Sequence, residues 1–538
     1  MSAESAFPTT VPALVRASAA QYRDLDAVVD GEVSLSFGDL AVAVQRSAGA
    51  AIAQGIRPGD RVALWAPNTY RWVLAALGLL SLGAVLVPLN TRYRGREAAE
   101  LIRRTGARAL MVHHGFLDYD YIGSVLAATS GSTSLEVVVD MAEQPAESDL
   151  AVRILGWQRY LDAGVAAGVD DICAAGDAVS PDDLSEIIFT SGTTGPAKGV
   201  MLTHGPSLRL YRDYGSIWGF RAGDRNLVSL PFFHTGGLKA GLIACLIHGV
   251  TIVPLAAFDT DAALDMIARQ RISVMTGPPT VFASILDHPR RDTYDLSSLR
   301  LAATGAAVVP TTLVERMRSE LPFENVITAY GLSESCGTVT MCRHTDSAQV
   351  VAQTNGAALP GVDVKIVRAD GTCADPDESG EVVVRGYNIT QGYWDDPAAT
   401  AAAIDPDGWL HTGDIGALDS AGNLKITDRL KDLYIVGGFN VSPAEVEQVL
   451  ATHPDLSEVA VIGVPDDRLG EVGKAFVVPK PGRTVDEAVL IKWCRGLIAN
   501  FKAPRSISVL DALPRNASGK VLRRELRDAD HAATGRSS

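Results

Sequence analysis

Ten consecutive residues, Thr190-Ser191-Gly192-Thr193-Thr194-Gly195-Pro196-Ala197-Lys198-Gly199, set hydroxyl side chains among glycines and add a single lysine. Glycine lets backbone N–H groups turn toward a ligand, and the hydroxyls and the ammonium add donors. The composition suits a polyphosphate. The spacing is not that of a GxxxxGK[ST] loop, and a plain Ser/Thr/Gly-rich surface turn has the same composition. Further along, Glu334 stands in TAYGLSE, Asp414 in GWLHTGD and Lys520 in NASGK. Taken singly, each also reads as a turn residue or a solvated side chain. Six cysteines, at 173, 245, 336, 342, 373 and 494, form no CxxC pair, so neither a zinc site nor a disulfide framework is indicated.

The elements that must position these residues follow from the pattern. With 538 residues the chain is too long for one hydrophobic core, so at least two domains are expected. In the first half, helical patterns alternate with short apolar runs at Arg61–Trp65, Ala84–Pro88, Ala109–His113 and Glu136–Val139. Glu186–Thr190 gives another, just ahead of the Gly-rich loop. That rhythm predicts an α/β architecture with largely buried sheets. The apolar run Val73–Pro88 is short for a membrane span and carries Gly78 and Gly83, so it predicts a buried helix followed by a buried strand. After about residue 360, short strand-like runs such as Val362–Val367 and Gly380–Arg385 predict a β-rich subdomain.

The charged run DRLKD (428–432) marks a boundary, beyond which helices and strands restart. Ser442-Pro443-Ala444-Glu445 is a capping box ahead of a helix with Val446, Val449 and Leu450 on one face, and Thr484–Glu487 repeats the capping pattern. The last residues, from about Asp528, read as frayed. Net charge is −15, which disfavours a nucleic-acid or anionic-membrane surface. The N-terminus lacks a basic region followed by an apolar one, and a cytoplasmic location is expected.

Six segments together resemble the adenylate-forming enzymes: acyl-CoA synthetases, luciferases and the adenylation domains of peptide synthetases. They are TSGTTGPAKG (190–199), TGAAVVP (304–310), TAYGLSE (328–334), GWLHTGD (408–414), DRLKDLYIVGGFN (428–440) and LPRNASGK (513–520), in the family's order. The resemblance runs from about Leu35 to Arg527. It implies a mixed α/β fold with a large N-terminal domain (1–428), a hinge (429–431) around Lys431, and a small mobile C-terminal α+β domain (432–538).

It also implies a set of roles. Thr190, Ser191, Gly192, Thr193, Thr194, Gly195 and Lys198 would hold the phosphates of ATP. Gly305, Ala306 and Ala307 on one side, with Tyr330 and Gly331 on the other, would flank adenine. Asp414 would accept the ribose hydroxyls, and Arg429 would contact ribose or phosphate. Glu334, with Thr194, would bind Mg2+. Ser333 stands where the family more often has threonine and keeps the hydroxyl. Lys520 would stabilise the negative charge that builds as a carboxylate attacks the α-phosphate. His234, Thr235, Gly236 and Gly237 resemble the segment flanking the acyl pocket, and the glycines there, with Gly305, would leave room for an acyl chain. Gly437, Gly438 and Phe439 resemble the loop lining the passage for the pantetheine thiol.

The implied reaction takes a carboxylic acid, ATP, Mg2+ and CoA to acyl-CoA through an acyl-adenylate. No carrier or condensation domain stands beside these motifs, which favours CoA as acceptor over a carrier protein. A luciferase-type oxidation and a non-catalytic nucleotide or acyl sensor stay open at this level. PFFHTGGLKAG is similar to bacterial fatty-acid CoA ligases, including those for alicyclic or steroid-derived acids. A medium or long acyl chain is the first expectation, and an aryl or ring-bearing acid the second. Homodimerisation is left open, with at most peripheral membrane contact.

Overall fold

The computed structural model describes residues 7–129, 134–143, 152–166, 168–190, 197–305, 309, 311–368, 370–429, 434–441, 443–514, 521 and 523–534. They form two compact units. The first takes the chain up to Thr91, Ala98–Phe189 and Gly199–Asp428; the second takes Arg92–Glu97, Thr190–Lys198 and the chain from Arg429 onward.

The first unit holds three sheets. In one, seven strands run in the order Arg153–Gly156, Val137–Asp140, Ala109–Val112, Arg61–Trp65, Val85–Pro88, Leu184–Thr190 and Lys198–Thr203. Val85–Pro88, Ala109–Val112 and Val137–Asp140 are buried at every position, as parallel strands covered on both faces must be. The expected strand positions hold to within a residue or two. The run Val73–Pro88 divides as expected into the helix Tyr70–Ser81 and the strand Val85–Pro88. Thr69 caps that helix by accepting from the Trp72 N–H, and every residue from Trp72 to Ser81 is buried. Gly78 lets it cross closely over the helix Phe37–Ala53, because a Cβ there would overlap Ser47. No helix among the described residues is long and apolar enough to cross a membrane.

A nine-stranded sheet places Asn325–Tyr330, Leu301–Thr304, Val274–Gly277 and Arg225–Val228 side by side and parallel. Their carboxyl ends open in one direction, where parallel sheets usually offer a crevice for ligands. The β-rich subdomain is a four-stranded sheet of Val362–Val367, Gly380–Gly386, Leu410–Leu418 and Leu424–Arg429.

The second unit has its own sheet and core. The hairpin Tyr434–Val436/Phe439–Val441 joins Gly470–Pro479, Leu456–Asp466 and Ser506–Val509. Tyr434, Val446, Leu450, Val461, Val477, Leu490 and Cys494 pack beneath it. The helix Pro443–Ala451 lies where the capping box predicts one; Ser442 itself falls outside the described residues. The pattern at Thr484–Glu487 needs a correction: the cap of Glu487–Leu497 is Asp486, whose carboxylate accepts from the Val489 N–H at 2.9 Å. Aspartate caps at least as well as threonine, and the helix therefore starts two residues later.

Candidate active site

Glu334 sits in a tight turn after the strand Asn325–Tyr330, and the turn is held from several sides. The Leu332 N–H donates to Ser335 Oγ at 3.1 Å, and the Gly337 N–H to the Leu332 carbonyl at 2.9 Å. Cys336 takes a left-handed conformation, with φ 60°, and its carbonyl accepts from the Tyr211 hydroxyl at 3.1 Å. Asn388 Nδ2 donates to the carbonyls of Ser335 and Thr338, and the Thr390 N–H donates to that of Glu334. Ser333 is buried beside the turn. Gly331 is required here by close approach: a Cβ would overlap the backbone of Gly337 and Thr338.

The Glu334 carboxylate is fixed as well as its backbone. The Tyr393 hydroxyl donates to Oε1 at 2.9 Å. Burial and the adjacent carboxylate push the Tyr393 pKa well above its ordinary value, so the phenol stays a donor. Among the described residues no three His, Cys, Asp or Glu side chains gather as a cage for a metal ion. A single oriented carboxylate fits Mg2+ that takes its other ligands from substrate phosphates and water, as that small, hard ion commonly does.

Two residues expected to touch the nucleotide meet each other. The Tyr330 hydroxyl donates to Asp414 Oδ2 at 2.7 Å, and the Asp414 N–H donates to Thr412 Oγ1 at 3.1 Å. Thr412 is fixed in turn by donating to the Val382 carbonyl. Gly305, at the end of the neighbouring strand, presents a flat wall, since the nearest atom to a Cβ there is the Ala329 carbonyl oxygen at 3.7 Å. Tyr330→Phe keeps the ring and removes a bond to a charged acceptor worth about 1.5–3 kcal/mol. The KM for ATP should rise about tenfold or more in a pyrophosphate-release assay. An unchanged KM would separate the Tyr330–Asp414 pair from nucleotide binding.

The segment expected to flank the acyl pocket is anchored by a residue that the sequence reading missed. Asn68, in the loop after Arg61–Trp65, donates to the carbonyls of Val228 (3.0 Å) and Leu230 (2.9 Å) and accepts from the Phe232 N–H (2.7 Å). Its signal was position: an amide just beyond the carboxyl end of a parallel strand. His234 follows, an exposed residue whose ring the surrounding chain partly desolvates, which lowers its pKa. Its Nδ1 accepts from the Gly236 N–H at 3.2 Å, so the neutral ring carries its proton on Nε2. A π-helix, Gly236–Ile243, comes next.

The space left by Gly237 is not open to a ligand, because the Pro231 backbone fills it; Gly236 is crowded by the Leu230 side chain. Of the three glycines expected to leave room for an acyl chain, only Gly305 is free of close neighbours at its Cβ position. Asn68→Ala would strand two carbonyls and one N–H, each costing about 1–3 kcal/mol if left unpaired. It should raise the KM for the acid by roughly tenfold, with a smaller change for ATP. Equal changes in both would mean that Asn68 supports the sheet in general.

The other expected residues are placed as follows. Thr190 and Lys198 close the ends of the Gly-rich loop, the Thr190 hydroxyl donating to the Lys198 carbonyl at 3.5 Å. Thr235 is buried. Arg429 ends the strand Leu424–Arg429. Gly437 and Gly438 form the two-residue turn of the hairpin Tyr434–Val436/Phe439–Val441, both with positive φ (56° and 87°), and Phe439 packs on Phe501 at 4.6 Å. Such a turn demands glycine for conformational reasons alone. Ser191, Gly192, Thr193, Thr194, Gly195, Ala306, Ala307, Lys431 and Lys520 lie outside the described residues.

The structure thus brings together an oriented Glu334 carboxylate, the Tyr330–Asp414 pair and, at the end of the neighbouring strand, Gly305. The chain belongs to the AMP-binding enzyme family: residues 15–394 match its family model, and residues 445–520 match that of the AMP-binding enzyme C-terminal domain. It is 48% identical over 524 residues to 3-[(3aS,4S,7aS)-7a-methyl-1,5-dioxo-octahydro-1H-inden-4-yl]propanoyl:CoA ligase of Rhodococcus jostii, spanning 97% of this chain and 99% of that one. The ligase of the same name from Mycobacterium tuberculosis is 48% identical over 519 residues, covering 96% and 98%. Among solved structures, o-succinylbenzoate CoA synthetase of Bacillus subtilis superposes with a TM-score of 0.83 at 30% identity, covering 96% of this chain and 98% of that one. The protein is an AMP-forming acid–CoA ligase that uses ATP, Mg2+ and CoA.

Proposed function

We propose that the acid is a fused-ring, keto-bearing propanoic acid of the type for which the two 48%-identical ligases are named. The observation that carries this reading is identity sustained over nearly the full length of both chains. It moves the ring-bearing acid ahead of the medium or long fatty chain that the sequence alone suggested first. A keto group on the acid would suit a neutral His234 ring whose Nε2 carries the proton and can donate. The enzyme would work in the cytoplasm.

In this reading Tyr330 and Gly305–Ala307 flank adenine, Asp414 and Arg429 hold ribose, and the loop 190–198 wraps the phosphates. Glu334, with Thr194 from the loop, would hold Mg2+, which neutralises phosphate charge when bound. Acid carboxylate attacks the α-phosphate, Lys520 stabilises the charge that develops, and pyrophosphate leaves. The small domain, residues 432–538, then turns about Lys431, and the thiol of CoA reaches the adenylate along Gly437, Gly438 and Phe439.

The test is pyrophosphate release with MgATP across fused-ring keto acids, aryl acids and fatty acids, with and without CoA. The ring acids should show kcat/KM about a hundredfold or more above the fatty acids, and turnover should continue only with CoA. Faster turnover of fatty acids would restore the first expectation, and a burst that CoA does not sustain would indicate a carrier protein as acceptor.

A further inference from the structure

Behind the site lies a charge pair that the reaction does not use. Glu186, on the strand Leu184–Thr190, and Lys239, on the π-helix Gly236–Ile243, form an ion pair at 0% and 2% side-chain exposure. Neither Glu186 oxygen has a further hydrogen-bond partner among the described residues. Removing two such charges from water is expensive, and a well-packed apolar pair commonly serves stability as well or better. Stability is therefore a poor reason for the pair. Its connections suggest another.

Lys239 Nζ also donates to Ser207 Oγ at 2.9 Å, and Ser207 Oγ lies 3.2 Å from Cys336 Sγ. Cys336 is two residues beyond Glu334. One helical turn after Ser207, Tyr211 donates to the Cys336 carbonyl. Gly337 packs so closely on Tyr211 and Thr235 that a Cβ would overlap the tyrosine hydroxyl. Glu186 is four residues before Thr190, where the phosphate loop begins, and Lys239 is five residues after His234. The wide π turn is where this lysine enters the interior, and such turns recur at functional positions.

We infer that Glu186, Lys239 and Ser207 are positioning residues that set the strand feeding the phosphate loop, the acyl segment and the Glu334 turn at a fixed distance from one another. The inference rests on the roles proposed above for those three segments. An ammonium with several fixed donors resists sliding better than an apolar contact, and adenylation requires the reacting groups to stay aligned within a fraction of an ångström.

The test compares wild type, the Glu186→Met/Lys239→Met double variant and Ser207→Ala, each by melting temperature and by acid-dependent ATP–pyrophosphate exchange. The double variant removes both charges at similar volume, and Ser207→Ala leaves the ion pair in place. We expect melting temperatures at or above wild type for the double variant and near wild type for Ser207→Ala. In both, kcat should fall, by about ten- to a hundredfold in the double variant and by less in Ser207→Ala, with the KM for ATP changed by no more than about threefold. A merely structural pair would leave kcat untouched in any variant that folds. Wild-type kcat in the double variant overturns the inference, and if that variant fails to fold, wild-type kcat in Ser207→Ala does so. No exchange in the wild type with any acid would instead count against the proposed reading of the site.

Discussion

Glu334→Gln should slow acid-dependent pyrophosphate release by about a hundredfold or more at saturating MgATP, the cost of losing one preorganised charge interaction in the transition state. The substitution is nearly isosteric. The Tyr393 hydroxyl can still donate to the amide oxygen, and the hydrogen bonds that hold the turn from Leu332 to Gly337 do not involve the Glu334 side chain. Melting temperature should therefore change little. In the proposed reading the substitution removes the negative charge on a hard oxygen ligand of Mg2+, so the rate should recover in part as Mg2+ is raised. Tyr393→Phe serves as the graded companion: it keeps the charge and loses only its orientation, so its loss should be smaller. A Glu334→Gln enzyme within about threefold of wild type would mean that the metal is held without it.

The two variants bear on how much of this site was legible in the sequence. Buried parallel strands announce themselves as unbroken apolar runs, and Arg61–Trp65 and Ala109–Val112 lie within a residue of where those runs put them. Glu334 and Asp414 were legible because they stand in short Gly-rich segments with a family resemblance. Their partners were not. Tyr393 lies 59 residues from Glu334, and Tyr330 lies 84 residues from Asp414. A tyrosine carries no mark of which distant carboxylate it will meet once the chain has folded. Asn68 and Lys239 were passed over for the same reason, and no periodicity announces a π-helix. Gly237 shows the opposite error. Its missing side chain looked like space for a substrate, whereas the Pro231 backbone occupies that space. Small residues mark close approach, and only the fold decides what approaches.

Lys520→Ala should split the reaction. The first half-reaction brings a carboxylate to an anionic phosphate and increases the negative charge on it, so an ammonium held there contributes most in the transition state. Its removal should slow adenylate formation by about a hundredfold or more, as loss of a preorganised donor does elsewhere. The second half-reaction has no such demand: a thiolate attacks an acyl carbon, and AMP leaves as a stable anion. Acyl-adenylate supplied directly to Lys520→Ala enzyme should thus pass to CoA at close to the wild-type rate. Single-turnover measurements of both steps give the ratio that matters. Equal losses in the two would mean that Lys520 supports the fold or binds a group common to both steps, and the domain carrying it would then need no separate position for each half-reaction. A large loss confined to adenylation would instead require that lysine to be present for one step and dispensable for the next, which is the kinetic signature of a domain that moves between them.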